Sequence, residues 1–311
     1  MLRLPDHWVW DSWTAIDGSD YHLFFLRASR ALLDPNRRHM RAGIGHAVST
    51  DLRNWTLLPD ALVHTDAPAW DSQAVWTGSV VQGPDGTWYM FYSGVTNERG
   101  VSIQRIGLAL STDLMVWHRY RPQPLVQADP RWYDCLDGRA GVSEAWRDPF
   151  VLADPDGDGW HMLITARARS GPAGFRGAIG HARSSDLVHW EVQPPLTRPA
   201  GFYELEVAQV QWLDGAPVLL FSCMPDVVAP ERRSDEFAAT WTVVGDRLAD
   251  GWDVTKAVPF AHPSLYTARL LRDVDGSLCL LGFRNFDQGR FVGEILDPVP
   301  VEWTGERLLP G

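Results

Sequence analysis

Short strand signals recur along the whole chain, and three of them follow one pattern. Residues 43–55, 105–117 and 178–190 each have the form I-G-x-A-x-S-x-D-L-x-x-W. The alternation of small and apolar residues predicts a strand. The aspartate is typical of a residue that caps the following turn, and the tryptophan marks the start of the next strand. The spacing of the closing tryptophans indicates repeating units of the size of a small sheet.

A β-hairpin is predicted just before each repeat and at two further places. Each has a Gly-bearing turn followed by an apolar and aromatic strand. These hairpin signals occupy residues 18–28, 85–94, 156–167, 214–223 and 275–285. One more short strand is predicted before each hairpin, at residues 7–13, 74–81, 145–152, 205–213 and 265–272.

Five such units predict an all-β fold, a five-bladed β-propeller, because radial repetition of four-stranded sheets gives that architecture. The predicted blades cover approximately residues 7–60, 74–126, 145–197, 203–258 and 264–304. No twelve-residue segment has a helical period, and no linker divides the chain. Residues 1–311 are therefore expected to form a single domain.

Charge and composition exclude several classes of binding partner and favour others. The net charge of −11 argues against nucleic acid and anionic membranes, and no apolar run approaches the roughly 18 residues of a membrane span. The first ten residues lack a signal-peptide stretch, so a cytoplasmic protein is expected. Cys135, Cys223 and Cys279 form no CxxC pair, and neither a cofactor nor a metal is expected. No segment indicates an oligomeric state. Sixteen tryptophans suit a β-rich core and also the stacking of rings on a small neutral sugar.

The first strand of each propeller blade lines the central channel, where polar residues are costly to bury unless they are paired or functional. Reading those strands in order gives Asp11, then Trp76 to Ser79, then Arg147 and Asp148, then Glu204 and Glu206, and finally Tyr266. Carboxylates around one pocket match the needs of glycoside cleavage, in which one attacks or supports the anomeric carbon and another protonates the leaving oxygen. Clustered like charges also raise the pKa of at least one carboxyl. A structural plug, salt-bridged or cation-binding, is the alternative that this pattern leaves open.

The motifs resemble those of clan J of the glycoside hydrolases, families 32 and 68. VWDSW at 9–13 resembles the nucleophile motif of family 68, and DYHLFF at 20–25 the second strand of both families. VWTGS at 75–79 is similar to a blade-two W-S-G-S motif, and WRDPF at 146–150 carries the Arg-Asp-Pro of the clan. YELEVAQV at 203–210 resembles the acid/base strand. Members of the clan are five-bladed propellers that hydrolyse or transfer β-D-fructofuranosyl groups with retention.

The resemblance implies roles for individual residues. Asp11 would be the nucleophile, Glu206 the general acid and then base, and Asp148 the transition-state stabiliser. The residues expected to contact the sugar are Trp10, Trp76, Thr77, Arg147, Glu204 and Tyr266.

The chain departs from the clan's patterns on the leaving-group side. Val207 and Ala208 replace the Arg-Pro or Cys-Pro that follows the acid/base glutamate, and FSCMPD at 221–226 lacks the arginine of family 68. These changes leave open whether sucrose is the donor substrate. The chain is also shorter than typical members, and we expect neither the C-terminal β-sandwich of family 32 nor many of the long loops of family 68. A rim with shorter loops is expected to favour water as the acceptor.

The leading hypothesis is therefore a retaining β-fructofuranosidase acting on sucrose, fructooligosaccharide, levan or inulin. A fructosyltransferase is the closest alternative, followed by a furanosidase for a related sugar such as an arabinofuranoside. A sugar-binding propeller without turnover is the alternative outside enzymes.

Four further signals have a structural interpretation. Residues 154–159 resemble half of a calcium loop, but Thr165 stands where a bidentate glutamate is required, so a hairpin turn is predicted. His46 and His181 recur in the repeats and are expected to be structural. The repeat aspartates Asp51, Asp113 and Asp186 are expected to be turn caps. Arg232 and Arg233 are expected on a solvated loop.

Overall fold

The computed structural model describes residues 1–98, 100–135, 144–233 and 237–311, and it is a five-bladed β-propeller. The first blade contains β1 (His7–Asp17), β2 (Asp20–Ser29), β3 (Gly43–Ser49) and β4 (Thr56–Leu62). The second contains β5 (Ala74–Gln82), β6 (Trp88–Glu98), β7 (Val101–Ser111) and β8 (His118–Arg119). The third contains β9 (Trp146–Ala153), β10 (Trp160–Arg167), β11 (Gly177–Ser184) and β12 (Glu191–Gln193). The predicted all-β propeller is thus confirmed.

The fourth blade contains β13 (Glu206–Leu213), β14 (Ala216–Ser222), β15 (Thr240–Val244) and β16 (Val258–Phe260). The fifth contains β17 (Leu265–Arg272), β18 (Leu278–Asp287), β19 (Arg290–Ile295), β20 (Val299–Trp303) and β21 (Leu308–Pro310), with β19 paired to β18 beside the main order. The helical segments are short 3₁₀ turns at Arg30–Leu32, Pro35–Arg41, Pro225–Val227, Pro230–Arg232, Leu248–Asp250 and Val254–Lys256. None of the helices in the described ranges has the length and apolarity for a membrane crossing. That one domain accounts for residues 1–311 stays a prediction.

The repeated S-x-D-L segment is a capped turn in each of its three blades. In the first, the Asp51 carboxylate accepts the backbone N–H groups of Arg53 at 2.9 Å and Asn54 at 2.7 Å, and these hydrogen bonds lower the pKa of Asp51. Leu52 follows with a φ of 60° and a fully buried side chain. Equivalent N–H contacts cap the turns at Asp113 and Asp186. The predicted role of the three aspartates is confirmed.

The repeat histidines pair inside their own blades. The ring nitrogens of His46 and His22 lie 2.9 Å apart, and those of His181 and His161 lie 2.8 Å apart. Burial lowers the pKa of His46 to about 4 and that of His181 to about 3. Neither lines the main cavity, which agrees with the structural role. Residues 154–159 form the predicted hairpin turn between β9 and β10.

The five inner strands meet around the channel, each in contact with its neighbours in the ring. The N-terminal segment joins the last blade, since Leu2 and Ile295 exchange backbone hydrogen bonds. Large aromatic side chains fill the space between blades. Phe91 of blade two, for example, meets Trp190 of blade three edge-on, with ring centroids 5.5 Å apart.

All five inner strands have a register shift at equivalent positions. The shifts follow Trp10 in β1, Trp76 in β5, Glu206 in β13 and Tyr266 in β17, and one interrupts the pairing of β9 with β10. Four residues at these shifts have positive φ: Asp11 at 31°, Asp148 at 54°, Val207 at 52° and Thr267 at 44°. Successive side chains of a regular strand face opposite sides, and a bulge interrupts that alternation. The bulges thus let consecutive residues face the same end of the channel.

Candidate active site

One end of the channel opens into a cavity of about 600 Å³ that residues from all five blades line. Four bulged strands each contribute two consecutive residues to it. These pairs are Trp10 with Asp11, Trp76 with Thr77, Arg147 with Asp148, and Tyr266 with Thr267. Glu204 and Glu206 complete the set, so the cavity contains all nine residues that the sequence analysis selected.

Asp11 is held from both sides by threonine hydroxyls. Thr77 Oγ1 donates to its Oδ2 at 2.6 Å, and Thr267 Oγ1 donates to its Oδ1 at 2.9 Å. Burial raises the pKa of Asp11, the charge of Glu206 adds to the rise, and the two hydroxyls oppose it. The carboxylate is therefore fixed in orientation and has a dedicated hydrogen bond on each oxygen. Thr77, expected to contact the sugar, uses its hydroxyl on Asp11.

Glu206 has a different environment. The Tyr266 hydroxyl donates to its Oε2, and Arg147 Nη2 donates to its Oε1 at 2.6 Å. Burial raises the pKa of Glu206, and the charges of neighbouring carboxylates contribute to the rise, whereas Arg147 and Tyr266 oppose it. Since Tyr266 binds Glu206 and the next residue, Thr267, binds Asp11, one strand holds both carboxyl groups in the same cavity.

Asp148 is the most deeply buried of the three proposed catalytic carboxyls, with 3% of its surface exposed. Thr165 Oγ1 donates to its Oδ2 at 2.8 Å, and Arg147 Nε lies 3.4 Å from the same oxygen. Burial raises the pKa of Asp148 to about 6, although the charge of Arg147 opposes the shift. The backbone N–H of Asp148 donates to Ser93 Oγ at 2.8 Å, which ties blade three to blade two.

Glu204 is part of an ionic cluster with two arginines. It accepts hydrogen bonds from both Arg147 and Arg167. Burial alone would raise its pKa, but the two guanidinium groups outweigh that effect and the pKa of Glu204 is lowered. The alternative of a salt-bridged structural plug therefore fits Glu204, which shares Arg147 with Glu206. Asp11 and Glu206 both line the cavity. By holding Arg147, Glu204 also orients the donor that contacts Glu206.

Two tryptophans form an aromatic edge of the cavity. Trp10 and Trp76 flank the ring of His39, whose centroid lies 6.2 Å from the first and 6.3 Å from the second. Trp76 Nε1 donates to the backbone carbonyl of His39 at 2.6 Å. An edge of this kind suits the flat, apolar face of a sugar ring.

Sequence analysis missed Arg38, which reaches the cavity from the turn Pro35–Arg41. Its guanidinium lies 3.6 Å from the ring centroid of Phe291 and 5.5 Å from that of Trp10. Burial lowers the pKa of Arg38 to about 10, against the opposing charge of Asp11. Nothing in the local pattern distinguishes Arg38 from the arginine before it, so the sequence carried no signal for this contact.

Arg269 was also missed, although it lies within a predicted inner strand. It is 5% exposed, and its Nη1 donates to the carbonyl of Ala208 at 2.8 Å. It lines a second cavity, of about 430 Å³, rather than the first. Burial lowers the pKa of Arg269 to about 10, and the charges of Asp148 and Asp11 oppose the shift. Arg269 therefore supplies positive charge to the carboxylates from the far side of the channel. The signal was available, because a charged residue in an inner strand is what identified the others.

Arg167 was missed as well. It is the last residue of β10 and contacts Tyr203 as well as Glu204, with its Nη2 3.2 Å from the tyrosine hydroxyl. Arg232 lies over the ring of Phe202 at 4.5 Å and donates to the carbonyl of Ala200 at 2.6 Å, outside the cavity lining. The described residues bring no three His, Cys, Asp or Glu side chains together as a metal site.

Comparison with known proteins identifies the family. Residues 12–235 match the family model described as the glycosyl hydrolases family 32 N-terminal domain. The chain belongs to this family. The match begins one residue after Asp11 and includes the other proposed catalytic residues, Asp148 and Glu206. The resemblance to clan J is thereby confirmed.

Curated relatives match only in part. An acid β-fructofuranosidase of Vicia faba is 43% identical over 90 residues, which are 28% of this chain and 13% of the relative. β-Fructofuranosidase 1 of Zea mays is 45% identical over 159 residues, 49% of this chain and 21% of the relative. The matches thus span less than a third of either relative's own length.

Solved structures share the fold over the whole chain. The inulosucrase of Halalkalicoccus jeotgali bound to kestose aligns with a TM-score of 0.78 at 22% identity, covering 99% of this chain and 89% of that one. The Bombyx mori GH32 β-fructofuranosidase BmSUC1 aligns with a TM-score of 0.77 at 20% identity, covering 100% and 64%. At these identities the likeness establishes the propeller alone.

Proposed function

We propose that the protein is a retaining glycoside hydrolase that cleaves β-D-fructofuranosides through a covalent fructosyl-enzyme intermediate. The observation that carries this proposal is the pairing of Asp11 and Glu206 by consecutive residues of β17. Two carboxyl groups in one cavity with different hydrogen-bond partners can divide the roles of nucleophile and proton donor. Membership of family 32 and the similarity to β-fructofuranosidases both support this reaction class.

In the first step, Asp11 attacks the anomeric carbon while Glu206 gives its proton to the departing oxygen. The raised pKa of Glu206 favours the protonated form that this step needs. The bond to the aglycone breaks as the bond to Asp11 forms, and the alcohol leaves. The two threonine hydroxyls hold the Asp11 carboxylate in a single orientation for the attack.

In the second step, Glu206 is ionised and takes a proton from water, which attacks the same carbon and releases Asp11. Arg147 and Tyr266 both stabilise the ionised form of Glu206, so they assist this return. Asp148 supplies negative charge to the sugar ring as the oxocarbenium-like transition state forms. Trp10 and Trp76 provide an apolar edge for the ring. A small, uncharged sugar substrate agrees with the strongly negative chain.

The proposal is tested by incubation with sucrose, inulin, levan oligomers and aryl arabinofuranosides, followed by chromatography of the products. Free fructose is the expected product. Longer fructose chains would instead indicate transfer, and aryl release without any fructoside cleavage would indicate an arabinofuranosidase.

Two substitutions test the roles. Asp11→Asn is expected to abolish turnover with the fold intact, and Glu206→Gln to lose roughly 10²–10⁴-fold on substrates with poor leaving groups. Asp17→Asn, at the exposed end of the same strand as Asp11, and the exposed Glu302→Gln are the matched controls. Wild-type rates in Asp11→Asn or Glu206→Gln would contradict the role assignments.

A further inference from the structure

One wall of the cavity mouth is apolar and open to solvent. It consists of Tyr203, Met224, Val227 and Phe286, and is called the apolar wall below. Three of its members are among the exposed large hydrophobic residues, Tyr203 and Phe286 at 40% and Val227 at 37%. Single exposed apolar residues are ordinary, but a contiguous group at the rim of a pocket marks a binding surface.

Hydrogen bonds link the chain segments that carry the wall. The backbone N–H of Tyr203 donates to the carbonyl of Val227 at 3.2 Å, so these two residues are neighbours. Met224 Sδ accepts the side-chain N–H of Asn285 at 3.3 Å, which links blade four to blade five. Asn285 precedes Phe286 in β18, and both line the cavity.

The apolar wall lies next to the proposed proton donor. Glu206 and Ser222 are direct partners in the register of β13 and β14. The chain leaves β14 after Ser222, and Cys223 and Met224 follow at once as lining residues of the cavity. The wall therefore borders the side of the cavity on which Glu206 would protonate a leaving group.

The polar groups on this wall are the Tyr203 hydroxyl, which lies 3.2 Å from Arg167 Nη2, and the side chains of Asp226 and Asn285. Asp226 is the one charged residue of the segment 223–227, and the Asn285 side-chain nitrogen is engaged with Met224. A glucosyl leaving group has several hydroxyls, and each hydroxyl buried without a partner costs free energy. The segment 221–226 also lacks an arginine that would donate to such hydroxyls. The Asp226 carboxylate disfavours an anionic leaving group.

We propose that the apolar wall binds the leaving group, and that the preferred substrates are β-D-fructofuranosides with an uncharged alkyl or arylalkyl aglycone. This inference rests on the proposed function, because it assigns the aglycone side of the same site. Each fully buried methylene adds about fourfold to binding. We therefore expect kcat/KM to rise along an aglycone series and to exceed the value for sucrose.

The test compares methyl, n-hexyl and 2-phenylethyl β-D-fructofuranosides with sucrose. The three alcohols are leaving groups of similar acidity, so differences between them report contacts with the wall. The expected result is a kcat/KM at least tenfold higher for the hexyl and phenylethyl fructosides than for the methyl fructoside. A flat series, or sucrose as the best substrate, would overturn the inference while cleavage of the methyl fructoside upheld the proposed function. Failure to cleave any fructoside would remove both.

Two substitutions test whether the apolar wall causes the preference for the longer aglycone. Val227→Asn and Phe286→Ser should each reduce the hexyl-to-methyl ratio of kcat/KM severalfold. Val244→Asn is the matched control, because Val244 has the same 37% exposure and lies outside the cavity lining. An equal reduction in Val244→Asn, or an unchanged ratio in both wall variants, would contradict the assignment. Melting temperatures of all variants check that each is folded.

Discussion

The hydroxyl of Thr267 offers a direct test of how the cavity controls its nucleophile. Replacing Thr267 by valine removes the donor 2.9 Å from Asp11 Oδ1 and keeps a side chain of nearly the same shape. The second donor, Thr77, remains on the other oxygen. Thr267 has a φ of 44°, and one β-branched residue replaces another there, so the backbone strain is little changed.

The size of the effect follows from the hydrogen bond. A hydrogen bond to a charged group contributes about 1.5–3 kcal/mol, and one pKa unit corresponds to about 1.4 kcal/mol. Loss of the Thr267 bond therefore raises the pKa of Asp11 by about 1 to 2 units, in the same direction as its burial. Asp11 must be ionised to attack, so the acidic limb of the kcat/KM profile moves upward by that amount. Below this limb, activity falls by about 10- to 100-fold.

The assay is kcat/KM against pH for a single β-fructofuranoside. Thr267→Ser restores a hydroxyl and should return the acidic limb most of the way to the wild-type position. Thr240→Val is the matched control, because Thr240 is 1% exposed and its hydroxyl has no hydrogen-bond partner in the described part of the chain. An acidic limb that stays in place in Thr267→Val, or that shifts equally in Thr240→Val, would refute the reasoning.

Three further outcomes are expected. Tyr266→Phe removes a hydrogen bond that lowers the pKa of Glu206, so the basic limb of kcat/KM moves about one unit higher while the acidic limb stays, measured in the same profile. Arg269→Met removes positive charge facing Asp148, whose pKa is already about 6, so activity falls more at pH 6 than at pH 8, and Arg269→Lys retains most of it. His181 has its pKa lowered to about 3 by burial, so between about pH 6.5 and 4.5 the unfolded chain takes up a proton that the folded chain does not. The wild type should lose about 2–3 kcal/mol of unfolding free energy over that range through this group, and His181→Gln should lose that much less, measured by urea unfolding at both pH values.

The architecture was predictable because its signals are local. Turn residues and alternation identified each inner strand, and the S-x-D-L turns recur with a side chain that caps its own backbone. All nine selected residues line one cavity. Eight lie in the first strand of a blade, which faces the channel, and Glu204 lies just before β13. The family motifs added the roles, which stay predictions.

The ionic partners were not predictable in the same way. Glu204 accepts hydrogen bonds from Arg147 and Arg167, which lie on two strands of another blade, and its expected contact with the sugar stays a prediction. That pairing depends on how blades three and four are rotated against each other, and no local pattern contains that information. Arg38 reaches the cavity from the turn Pro35–Arg41, and no local pattern predicts the path of that turn.

The bulges explain why alternation alone could not separate the two faces of the inner strands. In β17, strict alternation assigns Tyr266 and Thr267 to opposite sides, but both line the cavity and each binds a different carboxyl group. Arg269 then faces the second cavity. A non-glycine residue held at positive φ costs on the order of 1–3 kcal/mol, and it persists where surrounding contacts hold it. Asp11 and Thr267 both have such a φ, and they are hydrogen-bonded to each other. Strained backbone is thus present where the proposed nucleophile meets its donor, and the bulge in β17 allows neighbouring residues of one strand to hold both the attacking and the proton-donating carboxyl.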